Sequence, residues 1–108
     1  MNYNKTITLT EKEKETIKRL MVEPKNEDDW TGSGVLFGAE AKFDDGMIMD
    51  IDICGVDRYE EGSVNAPWTQ AVLFTPEGRE VCCSYVEESY TGEWELDYND
   101  NTYLVNII

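Results

Sequence analysis

The sequence contains no histidine, and it has only nine basic residues against twenty-three acidic ones. Without histidine, the commonest general base and every Ser–His or Cys–His catalytic arrangement are excluded. Zinc also loses its usual nitrogen ligand, and the three cysteines do not have the spacing of a zinc site. We therefore expect a protein that is not an enzyme and that binds neither a metal nor another cofactor.

Cysteines and long apolar runs are also scarce. The cysteines are Cys54, Cys82 and Cys83, and an odd number with two adjacent members does not make a disulfide framework. The first ten residues have no apolar signal core, and no stretch approaches the roughly 20 apolar residues that span a bilayer. These features predict a reduced, cytoplasmic protein.

What the chain does contain is enough apolar material for one core and a large excess of acid. With 108 residues, 41% of them hydrophobic, we expect a single domain over residues 1–108. The net charge of −14 exceeds the magnitude of roughly 2–8 that solubility requires of a small domain. Residues 1–25 hold six bases and four acids, whereas residues 26–108 hold three bases and nineteen acids, a net charge of −16. Such a surface repels nucleic acid and acidic membranes, so we expect a basic protein partner.

The hydrophobic pattern predicts an α+β fold, with one N-terminal helix followed by an antiparallel meander of about six strands. Residues 1–10 are expected to form a short edge strand or a loose arm, and residues 1–25 a helical segment. Thr10 and Glu13 make a capping box at the start of the helix. From residue 35 to residue 108 the period changes to two, with turns at 44–46, 76–78 and 99–101.

Two strands place carboxylates on one face and apolar side chains on the other. Asp50 and Asp52 alternate with Met49, Ile51 and Ile53, and a later strand alternates in the same way. Carboxylates at positions i and i+2 of a strand lie about 6.6 Å apart, which is comparable with the phosphate spacing along a nucleic-acid strand. An array of this kind can occupy a basic groove built to hold nucleic acid. The predicted partner-binding residues of the two rows are Asp50, Asp52, Glu93, Glu95 and Asp97.

Loops next to the rows extend the predicted binding surface. They add five acids and two aromatic residues that can anchor an interface. The added residues are Asp57, Glu60, Glu61, Glu87 and Glu88, with Tyr59 and Trp68.

One acidic stretch partly matches a calcium-binding loop. Asp50, Asp52, Gly55 and Glu61 stand at the first, third, sixth and twelfth positions of such a loop. The fifth position is Cys54, a poor calcium ligand, and the flanking residues have the pattern of a strand and a loop, not of two helices. We therefore predict no metal site here.

The run from Gly55 to Ile108 resembles small proteins carried by phages and mobile elements of Gram-positive bacteria. Some of these are type II-A anti-CRISPR proteins, which inhibit the RNA-guided CRISPR nuclease. The resemblance covers about residues 30–108 and is clearest in Asn65-Ala66-Pro67-Trp68 and Gly92-Glu93-Trp94-Glu95-Leu96. It implies an inhibitor that acts in the bacterial host cell by occupying a positively charged channel, without turnover. It assigns no role to any individual residue.

Two alternatives stay open. The first is an immunity protein or antitoxin that neutralises a basic nuclease toxin, because the same acidic surface serves that purpose equally well. The second is a carboxylate-dependent enzyme acting on RNA, because paired carboxylates can perform acid–base chemistry without histidine. A blocker acts at about one copy per target, whereas an enzyme acts at a smaller ratio.

Overall fold

A computed structural model describes residues 1–20, 35–54, 57–58, 64–65, 68–87 and 90–108. In this part of the chain, seven strands of six to eight residues and one helix account for the regular structure, together with two strands of two residues each. The elements are β1 (Asn2–Ile7), α1 (Glu11–Leu20), β2 (Val35–Lys42), β3 (Ile48–Cys54), β4 (Asp57–Arg58), β5 (Val64–Asn65), β6 (Trp68–Phe74), β7 (Glu80–Val86), β8 (Glu93–Tyr98) and β9 (Asn101–Ile107).

Helix α1 begins where the capping box predicts. The Thr10 backbone N–H donates to Glu13 Oε1 at 2.9 Å, and the Glu13 N–H donates to Thr10 Oγ1 at 3.1 Å. These two bonds satisfy donors that the first helical turn leaves free. Ile17, from the apolar side of the helix, is buried.

A four-stranded antiparallel sheet has the order β2-β3-β6-β7. The alternation that the sequence predicts is confirmed, since Met49, Ile51 and Ile53 are each 0% exposed. Gly46 and Gly78 lie in the tight turns of this sheet with φ of 89° and 84°, which only glycine adopts without strain. The meander extends through these four strands. The short strands β4 and β5 come between β3 and β6 along the chain and pair with each other outside this sheet.

The last two strands leave the meander and form a second sheet with the N-terminus. Its order is β1-β9-β8, and β1 pairs parallel to β9, with Tyr3 opposite Tyr103. The expected edge strand at the N-terminus is thus confirmed, and the expected number of about six strands agrees roughly with the seven longer strands found. The strands form two sheets and not the single meander that was expected. Within residues 1–25, the structure describes a strand followed by a helix over Glu11–Leu20. The period of a strand specifies which side chains share a face but not which strand lies beside it.

The buried faces of both sheets contribute to one hydrophobic cluster, which also includes Ile17 of the helix. Tyr3, Phe43 and Tyr103 join the two sheets inside it. The Tyr103 ring stacks on Tyr3 at a centroid distance of 5.2 Å and meets Phe43 edge-on at 5.0 Å. Each sheet therefore turns its other face away from the common core.

Candidate binding surface

Asp50 and Asp52 lie on the outer face of β3, as the sequence predicts. Strand pairing places Glu40 directly opposite Asp50, and Gly38 directly opposite Asp52. Glu40, Asp50 and Asp52 therefore share one surface, with a shallow concavity next to Gly38. Glu40 was missing from the predicted binding residues. The turn at 44–46 could have indicated it, because a short hairpin loop sets the register of the two strands that it joins. This register places Glu40 opposite Asp50.

The three carboxylates raise one another's electrostatic energy. Burial raises the pKa of the Asp50 carboxyl above its usual range, and the charges of Glu40 and Asp52 raise this pKa further. Asp50 Oδ1 is buried and receives no hydrogen bond from the described residues. Asp52 Oδ2 accepts one long hydrogen bond of 3.4 Å, from Gln70 Nε2. A cation arriving at this surface therefore meets the Asp52 carboxylate, whose one long hydrogen bond leaves it acceptor capacity.

Aromatic residues continue the same surface across β6 and β7. Asp52 pairs with Gln70 on β6, and Gln70 pairs with Tyr85 on β7, so the three side chains form a row across the sheet. The Tyr85 ring lies 5.8 Å from the Trp68 ring, tilted by 37°, and Tyr85 is 54% exposed. We call the surface formed by these side chains the acidic–aromatic face; it comprises Glu40, Asp50, Asp52, Trp68, Gln70 and Tyr85.

The second predicted row lies on a different side of the molecule. Glu93, Glu95 and Asp97 are exposed on β8, while Trp94 and Leu96 between them are buried in the common core. Because the inner faces of the two sheets share that core, the outer faces with their carboxylates point away from each other. The structure therefore does not combine the two rows into one flat array.

Of the remaining predicted binding residues, Asp57 and Glu87 fall within the described part of the chain. Asp57 is in the short strand β4, whose backbone pairs with β5. Glu87 is exposed directly after β7. Tyr59, Glu60, Glu61 and Glu88 lie outside the described residues.

Few of the carboxylates are neutralised within the part of the chain that the structure describes. Its ion pairs are Lys5 with Asp44 at 3.8 Å and Lys14 with Glu11 at 3.5 Å, and neither involves the acidic–aromatic face. The same part holds no group of three or more Cys, Asp or Glu residues arranged to bind a metal ion. Asp50, Asp52 and Cys54 are in a strand, not in a calcium-binding loop. None of the described helices is long and apolar enough to cross a membrane.

No family model, curated protein or solved structure matches the chain.

Proposed function

We propose that this protein is an acidic inhibitor that binds the basic nucleic-acid-binding surface of a type II CRISPR nuclease. It acts inside the bacterial host cell and blocks engagement of the guide RNA or the target DNA. The observation that carries the proposal is the set of three carboxylates on the outer face of β2 and β3, without an ion-pair partner among the described residues. A basic protein surface supplies the missing countercharge, and releases its own bound anions on association.

The strands support this role because they hold the charges in place. Asp50 and Asp52 are on β3, which is paired on both sides, so their backbone positions are set before a partner arrives. Pre-organised charges lose little conformational entropy on binding. Aromatic residues on the same face add the kind of contact that dominates protein interfaces.

The test is an order-of-addition experiment with apo nuclease, guide RNA and target DNA, read by mobility shift at two salt concentrations. Inhibition only when the protein precedes the guide, weaker at high salt, indicates competition for the guide-binding groove. Inhibition after guide loading indicates competition for the target channel. Absence of inhibition in either order contradicts the proposal and favours a different basic partner, such as a nuclease toxin.

The opposed carboxylate rows provide matched variants for this experiment. One variant combines Asp50→Lys with Asp52→Lys, and the other combines Glu93→Lys with Glu95→Lys. Both change the net charge equally, but on different sheets. We expect the first pair to abolish inhibition and the second to weaken it modestly, because only the first reverses the acidic–aromatic face. Equal loss from both pairs would show that net charge alone governs binding. If inhibition requires about one copy of the protein per nuclease, the protein is a blocker, because an enzyme would inhibit at a smaller ratio.

A further inference from the structure

We propose that the acidic–aromatic face binds an arginine side chain of the partner, with the guanidinium between the Asp52 carboxylate and the Tyr85 ring. This inference depends on the proposed function in one respect, that the partner is basic. It goes further by naming the side chain that the face selects and the residues that select it.

The row of side chains across β3, β6 and β7 supports this placement. Asp52 is paired with Gln70 and Gln70 with Tyr85, so two strand spacings, about 10 Å in all, separate the backbones of Asp52 and Tyr85. A planar guanidinium that donates to a carboxylate on one side and contacts a ring on the other fills a span of this size. Gln70 lies beneath it, with its amide directed to Asp52 Oδ2.

The exposure of Tyr85 beside the half-buried Trp68 also supports an arginine. Tyr85 is 54% exposed on a regular strand, and its ring lies 5.8 Å from that of Trp68, tilted by 37°. A cation over the face of an aromatic ring is attracted by the ring quadrupole, and arginine occupies such positions more often than lysine. The pair therefore offers an arginine a stacking surface beside its countercharge.

Charge complementarity excludes two other occupants. A nucleic acid is repelled by Glu40, Asp50 and Asp52, and a second copy of this chain that docks through the same face brings the same carboxylates against themselves. A lysine satisfies the charge but not the rings, because its ammonium is compact, strongly hydrated and unable to stack. Arginine matches both halves of the face.

The experiment measures binding of the full chain to two peptides of equal length and charge, oligo-arginine and oligo-lysine, by fluorescence anisotropy. We expect oligo-arginine to bind more tightly, and Tyr85→Leu to weaken oligo-arginine by about two- to fivefold while leaving oligo-lysine unchanged. Tyr85→Phe keeps the ring and should retain the preference. Asp52→Asn should weaken both peptides, whereas Glu77→Gln, the same charge change in the exposed β6–β7 turn, should have little effect.

Three results would overturn the inference: equal affinity for the two peptides, equal loss for both in Tyr85→Leu, or no binding of either. None of them decides the proposed function, which is judged by nuclease inhibition. If Tyr85→Leu keeps full inhibition while Asp50→Lys with Asp52→Lys loses it, the face binds a basic partner without selecting arginine.

Discussion

The Tyr103 hydroxyl donates a hydrogen bond of 2.5 Å to Asp45 Oδ2, from the middle of one sheet to the β2–β3 turn of the other. The second oxygen of the same carboxylate, Oδ1, accepts the Met47 backbone N–H at 3.0 Å. A single carboxylate therefore closes the turn and attaches it to β9. The Tyr103 ring also packs on Tyr3 and Phe43, so this residue joins the two sheets through both its apolar and its polar atoms.

Replacing Tyr103 by phenylalanine keeps the ring and removes the hydrogen bond. Because the acceptor is a carboxylate, we expect Tyr103→Phe to lower the free energy of unfolding by about 1.5–3 kcal/mol. Tyr98→Phe is the matched control, since the Tyr98 hydroxyl only accepts an exposed bond of 3.3 Å from Arg79. Urea unfolding of both variants measures the difference, and equal destabilisation would contradict a special role for the Asp45 contact.

The same contact predicts a loss of stability in alkali. Burial, and then the hydrogen bond to Asp45, raise the pKa of Tyr103 from 10.0 to about 12. Between these two values the unfolded chain releases this proton more readily than the folded protein, so the free energy of unfolding should fall as the pH rises from 10 to 12. Urea unfolding across this range should show a steeper fall for the wild type than for Tyr103→Phe. Parallel curves would show that other groups cause the alkaline loss.

Glu40 and Asp50 are like charges directly opposite each other, and such pairs destabilise a sheet. We expect Glu40→Lys to raise the free energy of unfolding by about 0.2–1 kcal/mol, with a larger gain at low salt. The pKa of Asp50 should fall in this variant, as followed by a nuclear magnetic resonance titration. Glu77→Lys makes the same charge change in an exposed turn. An equal gain in both variants would attribute the effect to net charge alone.

The cysteines should differ in reactivity, because the thiolate is the nucleophile. Burial, with a contribution from the Asp52 charge, raises the pKa of Cys54 to about 11, while Cys83 is exposed. With an aromatic disulfide reagent at pH 8, we expect a fast phase that Cys83→Ser removes and Cys54→Ser retains. Persistence of the fast phase in Cys83→Ser would mean that Cys54 or the half-buried Cys82 is the reactive thiol, which contradicts the prediction.

Local patterns in the sequence predicted the parts of the fold that depend on neighbouring residues. The alternation of Asp50 and Asp52 with Met49 and Ile51 specifies the two faces of β3, because the side-chain period of a strand is two. The capping box at Thr10 likewise depends only on residues three positions apart.

Non-local pairing was beyond the same patterns. The residues of β8 do not indicate whether this strand joins a sheet with β9 and β1 or continues the sheet that ends at β7. The different directions of Asp50 and Glu93 therefore could not be predicted. The row from Asp52 to Tyr85 was also missed. It depends on the register of three strands, and a shift of one residue would turn Tyr85 toward the core.

The pairing of β1 with β9 has a consequence for how the chain is made. Asn2 lies opposite Thr102, about a hundred positions later, whereas the four-stranded sheet is complete once Val86 has been added. At a synthesis rate of about 5–20 residues per second, roughly 5–20 s pass between the synthesis of Tyr3 and Ile7 and that of β9, the strand with which they pair. During those seconds the first strand is an unpaired edge that other growing chains can meet, and the synthesis of β9 ends that exposure.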